Sequence, residues 1–239
     1  IPSDSNTGSI IKEFYGSIEA KDLFFQYPQT KNPIFESLNL NFSAGDVISV
    51  IGSNGSGKST LMNVFASVLE LSRGSIMIDG IELAQLSKTW YRSQIAFSPQ
   101  EPKFIDGSIK DNLIGSNEIK EIDFKNILIE VDLINYINSR EKGLNTLLED
   151  RGETLPVGIR KRMSLARAMI NQGQLIILDE PTEGLDITGK EKVKNLINNE
   201  KQKKKTIIIA TNDQEIINLS HILVDMNSKP KPSIARVKK

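Results

Sequence analysis

A chain of 239 residues is long enough to bury one substantial core, or one core with an attached subdomain. Its 30 Lys and Arg balance 30 Asp and Glu, so no bulk electrostatic attraction favours nucleic acid as a partner. The absence of cysteine excludes a disulfide framework and thiol chemistry, and no apolar run approaches the about 20 residues that a membrane-crossing helix needs.

The first residues, Ile1-Pro2-Ser3-Asp4-Ser5-Asn6-Thr7-Gly8, are mostly polar, and 1–15 read as a linker. The stretch 17–25 alternates in part and ends on Phe24-Phe25, which predicts an edge strand. A second alternating strand is expected over 34–42, ending at Ser43-Ala44-Gly45-Asp46. Val47-Ile48-Ser49-Val50-Ile51 is a short β-branched run, the pattern of a strand buried on both faces. A glycine-rich turn follows, then a helix predicted over 59–71 from Leu61, Val64, Phe65, Val68 and Leu69. Ser75 to Asp79 reads as a strand that turns at Gly80. From 108 to 170 the pattern is helical, with Ile159, Met163, Ala166 and Ile170 as one apolar stripe. Buried strands return at 175–179 and 206–210, separated by a helix over 190–205 with Val193, Leu196 and Ile197 on one side. The last residues, 226–239, carry Lys229, Lys231, Arg236, Lys238 and Lys239 and are expected as a basic, solvated tail. A βαβ core interrupted by a helical insertion fits this order.

The strongest chemical signal is Gly52-Ser53-Asn54-Gly55-Ser56-Gly57-Lys58-Ser59, followed by Thr60, which matches G-x-x-x-x-G-K-[ST] between a buried strand and a helix. Glycines let the backbone wrap a phosphate with consecutive N–H groups pointing inward, and the helix N-terminus adds partial positive charge. Lys58 is placed to reach the β- and γ-phosphates, and the Ser59 hydroxyl to ligate Mg2+. Leu175-Ile176-Ile177-Leu178-Asp179-Glu180 supplies a second half: an apolar strand ending in Asp179, placed near Mg2+, and Glu180, placed to orient or deprotonate an attacking water.

With these motifs the chain, from about Gly16 to Leu223, resembles the nucleotide-binding domain of an ATP-binding cassette transporter. The resemblance implies an α/β P-loop NTPase core of RecA-like type, with an antiparallel β subdomain and an inserted α-helical subdomain at about 103–170. It implies ATP and Mg2+ as ligands, and places Tyr27 on the adenine ring. Gln100, in Phe97-Ser98-Pro99-Gln100, would link Mg2+ and the attacking water to the helical subdomain. Asp186, in Glu183-Gly184-Leu185-Asp186, would occupy the loop that crosses to a partner domain. The segments 104–112 and 149–152 are similar to exporter cassettes, where the first lies beneath transmembrane coupling helices. The implied partners are a second nucleotide-binding domain, identical or not, and a transmembrane domain joined through the 1–15 linker. The implied place is the cytoplasmic face of a membrane, with no nucleic acid partner and with peptides or proteins as the exported class.

Two positions depart from the family pattern. Its Leu-Ser-Gly-Gly-Gln signature, which grips the γ-phosphate on the opposite subunit, reads here Leu155-Pro156-Val157-Gly158-Ile159. Pro156 offers neither hydroxyl nor N–H, and Val157 hinders the close approach that glycine allows. Asn212, in Ala210-Thr211-Asn212-Asp213, stands where cassettes carry a catalytic histidine. It can donate an amide hydrogen bond but carries no titratable proton. His221, expected beyond the last core strand, is assigned a packing or surface role. An ATPase, a catalytically impaired ATP-binding regulator that needs a partner with an intact signature, and a soluble cassette acting on nucleic acid all remain open at this point.

Overall fold

The computed structural model describes residues 13–115 and 119–237. Most of the expected linker, and Lys238 and Lys239 of the expected tail, lie outside the described residues. Strands β1 (Ile18–Phe25), β2 (Phe35–Phe42), β4 (Arg73–Ile78) and β5 (Ile81–Glu82) form an antiparallel sheet in the order β2-β1-β4-β5. Strands β3 (Val47–Ile51), β6 (Ile95–Ser98), β7 (Leu175–Asp179), β8 (Thr206–Ala210), β9 (Ile222–Asp225) and β10 (Ser233–Arg236) form a second sheet in the order β10-β9-β3-β8-β7-β6. Its ladders are parallel except for β10, which returns antiparallel to β9.

The buried β-branched runs work because successive side chains point to opposite faces of a strand. Ile48, Val50, Leu175, Ile177, Ile208 and Ala210 join the core between the two sheets, with helix α1 (Lys58–Phe65). Their sequence neighbours Val47, Ile176, Leu178, Ile207 and Ile209 join a second core on the other face. That core is covered by α3 (Ile109–Ile114), α4 (Glu121–Glu130), α6 (Val157–Ile170) and α7 (Ile187–Gln202), while α2 (Lys88–Ser93), α5 (Ile134–Asn138) and α8 (Gln214–Ile217) complete the helices of the described residues.

Several expectations need correction. The first strand is not an edge: β1 lies between β2 and β4. Its exposed Glu19 and Lys21 mark a sheet with one open face, and that alternation cannot distinguish an edge from an inner strand. Helix α1 stops at Phe65, not Leu71. Ser67 takes φ 54°, and the N–H groups of Val68 and Leu69 both return to Asn63 O, so the chain leaves the helix axis and Val68 is exposed. Helix α7 starts at Ile187 because Asp186 caps it, accepting from Gly189 N–H at 2.9 Å. The strands β5, β6, β9 and β10 are additional, and β9 places a core strand after His221. Within 226–239 Met226 is fully buried and 233–236 form β10, while 227–231 and 233–237, with Lys229, Lys231 and Arg236, are exposed.

Near the end of α7, Glu200 is 4% exposed and pairs with Lys203 at 2.6 Å and Lys205 at 2.8 Å. Burial pushes its carboxyl upward, but hydrogen bonds from the two lysines outweigh this and hold it below the ordinary glutamate range. A lowered folded value means the stabilisation is complete above the unfolded value and is lost as pH falls through the folded one. Glu200→Ala is expected to cost about 2 kcal/mol at neutral pH, and thermal unfolding should show the deficit shrinking as the pH falls below the ordinary glutamate range.

Candidate nucleotide-binding site

Four site segments follow the C-terminal ends of four adjacent parallel strands: 52–59 after β3, Gln100 after β6, Glu180 after β7 and Asn212 after β8. Ligands of open α/β sheets bind at that edge. Tyr27 approaches from the antiparallel sheet, its hydroxyl 3.1 Å from Thr60 Oγ1. Together Tyr27, Ile34, residues 53–60, Gln100 and Glu180 enclose a cavity of about 270 Å3.

Gly57 caps α1 at φ 105°, a left-handed value, and a Cβ there would lie 2.3 Å from Ile34 Cγ2, so no other residue fits. The buried Ser56 hydroxyl has no partner among the described residues. Lys58, 6% exposed, sends its ammonium to Gly52 O at 2.7 Å, Ser53 O at 3.4 Å and Glu180 Oε1 at 3.2 Å. A loop with a left-handed glycine cap and a buried lysine head at a helix N-terminus is a cradle for polyphosphate. Asn54 and Gly55 form its outer rim, where a Cβ on Gly55 would meet open space.

On the opposite side Ser59 Oγ donates to Gln100 Oε1 at 3.2 Å, and Gln100 Nε2 donates to Glu183 Oε2 at 2.9 Å. Asp179 is 1% exposed, and its Oδ1 has no hydrogen-bond partner among the described residues. Burial pushes its carboxyl pKa up, against the pull of the nearby Ser59 hydroxyl and two lysines. An orphaned buried carboxylate oxygen beside a serine hydroxyl and a glutamine carbonyl is an all-oxygen donor set that fits Mg2+. Among the described residues no group of three or more His, Cys, Asp or Glu could hold a metal. Glu180 takes φ 46°, and its N–H donates to Ala210 O at 2.8 Å, which turns its carboxylate towards Lys58.

The family described as "ABC transporter" matches residues 35–183, more than half of the chain. The chain belongs to the ABC transporter family. ATP binding and hydrolysis are characteristic of that family's cassette domain. "ABC transporter B family member 1" of Dictyostelium discoideum is 34% identical over 91% of this chain and 24% of that protein. An "ATP-dependent lipid A-core flippase" of Desulfotalea psychrophila is 30% identical over 95% of this chain and 39% of its own. The chain therefore spans well under half the length of these relatives. The solved structure of a bacterial Atm1-family ABC exporter with ATP bound superposes with a TM-score of 0.88 at 19% identity, over 97% of this chain and 41% of the other, which establishes the α/β P-loop fold. Among the described residues no helix is long and apolar enough to cross a membrane.

The segment 155–159, expected as the altered signature, sits at the start of α6, with Pro156 as N-cap and Val157 53% exposed. Leu155 and Gly158 are half-buried, and Ile159 turns into the core. Val157 packs on the 183–186 loop, where a Cβ on Gly184 would meet its Cγ1 at 2.8 Å. Asp186 is tied within the same subunit by Arg162, at 3.1 Å, and Arg162 also reaches Asp132 at 3.0 Å. Asn212 is likewise engaged in its own subunit: its Oδ1 accepts from Gly52 N–H at 3.2 Å and its Nδ2 donates to Gly52 O at 2.9 Å. Both ends of the amide hold one glycine. Asn212→Ala should therefore raise the KM for Mg-ATP about fivefold, read by steady-state kinetics, because one hydrogen-bonded pair holding the loop is worth about that factor.

Lys161 was not marked as a site residue by sequence reasoning. It is 3% exposed, and its ammonium donates to Gln100 O at 2.8 Å, fastening α6 to the segment that carries Gln100. Burial lowers its pKa, opposed by Glu183, Asp179, Glu180 and Glu101. The signal was a second stripe on α6, Lys161, Ser164, Leu165 and Ala168, all buried at helical spacing. His221 accepts from Val47 N–H at Nδ1 and approaches Asp46 at 3.6 Å, a packing role remote from the loop.

Proposed function

We propose that this chain is the ATP-hydrolysing cassette of an ABC exporter, with 16–225 as the catalytic domain and about 103–170 as its helical subdomain. The observation that carries the reading is the convergence of Lys58, Ser59, Gln100 and Glu180 on one cavity at the strand ends, with the buried Asp179 beside Ser59. In this reading Tyr27 stacks on adenine, residues 52–60 hold the phosphates, and Ser59, Gln100 and Asp179 hold Mg2+. Bound there, the ion would neutralise phosphate charge. Glu180 orients a water towards the γ-phosphorus and takes its proton. A new P–O bond forms as the bridging bond to the β-phosphate breaks, and ADP departs.

A single cassette leaves the γ-phosphate uncovered on one side, so two cassettes close head to tail with each signature facing the other's nucleotide. The partner is a second copy or a related cassette, and the pair works on a transmembrane domain at the cytoplasmic face of a membrane. A cavity of about 700 Å3 supports that contact: it lies beside the nucleotide site, between Gln100, Phe104, Arg151, Val157, Arg160 and Glu183, and the exporter-like segments border it. Peptides or proteins are the cargo class we put to test, against a lipid of the kind named for the flippase relative.

A second reading, a nucleotide-controlled regulator with little turnover of its own, is favoured by Pro156, Val157 and the engagement of Asn212 with Gly52. Hydrolysis measured across protein concentration separates the two. Specific activity that rises with concentration supports a working pair of identical cassettes. ATP binding with no turnover at any concentration supports the regulator, and the absence of ATP binding removes both.

A further inference from the structure

Behind the phosphate loop runs the segment that follows β9, and four of its five residues from 226 to 230 engage the loop or the adjoining sheet. Met226 N–H donates to Ile51 O at 2.9 Å, and its side chain packs under two loop glycines: a Cβ on Gly52 would lie 3.2 Å from Met226 Cβ, and one on Gly57 3.5 Å from its Cε. Asn227 Oδ1 accepts from Ser53 N–H at 2.8 Å. Pro230 O accepts from Glu36 N–H at 3.0 Å, at the start of β2. Between them, Lys229 Nζ donates to Ser56 O at 2.5 Å and also to Ile34 O. Ile34 and Ser56 both line the nucleotide cavity, one from the antiparallel sheet and one from the phosphate loop.

The Ser56 carbonyl and the Gly57 N–H belong to one peptide plane, and in a trans peptide they point in opposite directions. A cation that holds the carbonyl outward therefore aims the N–H inward, towards the place of the phosphate. It also polarises the peptide and strengthens that N–H as a donor. An ammonium on two carbonyls makes charge-assisted bonds, stronger than neutral ones. Partial desolvation there lowers the Lys229 pKa, although the residue is exposed overall.

We propose that Lys229 is a positioning residue of the nucleotide site: from behind, it sets the Ser56–Gly57 peptide for phosphate and ties the phosphate loop to the sheet that carries Tyr27. The inference rests on the reading of 52–60 as the ATP cradle. It assigns a role in nucleotide affinity to a residue that touches no nucleotide and lies 173 residues from its loop partner in sequence.

The test compares the 239-residue chain with its Lys229→Met, Lys229→Arg and Lys58→Met variants by equilibrium binding of a fluorescent ATP analogue with Mg2+, steady-state kinetics and thermal unfolding. Lys229→Met is expected to raise both Kd and KM for Mg-ATP about fivefold while leaving kcat within about twofold and Tm nearly unchanged. Lys229→Arg keeps cationic donors and should recover most of the affinity. An unchanged Kd in Lys229→Met, beside a Lys58→Met chain that has lost binding, overturns the role of Lys229 and leaves the cradle intact. So does a loss that follows Tm and disappears at lower temperature. A Lys58→Met chain that binds like the original overturns the cradle reading itself, and the proposal falls with it.

Discussion

Glu180→Gln is expected to abolish steady-state turnover, lowering kcat about 10²- to 10⁴-fold, while Mg-ATP binding stays the same or tightens. The substitution keeps size and hydrogen-bonding reach but removes the carboxylate proposed to take the water's proton. Glu180 is held for this task from two sides: its N–H on Ala210 O fixes the backbone at φ 46°, and Lys58 fixes the carboxylate at 3.2 Å. A side chain with left-handed backbone geometry outside glycine is uncommon and is kept where the surroundings enforce it. In the variant, Lys58 loses its charged partner, and its ammonium is more available to phosphate; hence the expected gain in affinity. Single-turnover hydrolysis beside equilibrium binding separates the two effects. If kcat falls less than about tenfold, the proton leaves by another route and Glu180 is only an orienting group.

The parts of this site that were legible in the sequence are those whose chemistry is contiguous. Residues 52–60 form a loop from adjacent positions, and Asp179-Glu180 close one strand, so spacing alone carried their meaning. The resemblance to cassettes then gave places to Tyr27 and Gln100, and both border the cavity. Contacts closed across the chain stayed hidden. Asn212 meets Gly52 across 160 positions and Asn227 meets Ser53 across 174, and no local pattern announces either bond. The strand β9 was obscured because it is four residues long and follows a polar Asn218-Leu219-Ser220-His221 run, and its pairing with β3 is a tertiary fact. The basic composition of 226–239 pointed to solvent, and Lys229, Lys231 and Arg236 are exposed; what stayed hidden is that the fold supplies two carbonyls to Lys229. Helix α1 was overextended because Val68 and Leu69 continue the helical period beyond the left-handed turn at Ser67.

The altered signature yields the other large effect. Replacing Pro156 by Ser and Val157 by Gly together should increase ATP turnover by a pair of identical chains about 10- to 100-fold, provided the head-to-tail reading holds. Pro156 stands at the N-cap of α6, the position where serine ordinarily offers its oxygen to the helix and its hydroxyl to a neighbouring anion. Proline gives neither, yet its fixed φ suits the start of a helix, so α6 and its buried face remain in place. The defect is therefore confined to groups exposed at the start of the helix, with Val157 53% exposed and projecting over Gly184. Glycine there removes the branched side chain from the crossing loop and opens the backbone to close approach. Removing the Pro N-cap should not unfold the helix, and thermal unfolding of the double variant checks that stability is retained. A gain in kcat that grows with protein concentration would place the signature against a second subunit's nucleotide. Unchanged turnover in a stable double variant would mean that the limit lies elsewhere, in the Asn212 clamp on Gly52 or in the Lys161 fastening of Gln100. Adding Asn212→His to the same background would then distinguish those two.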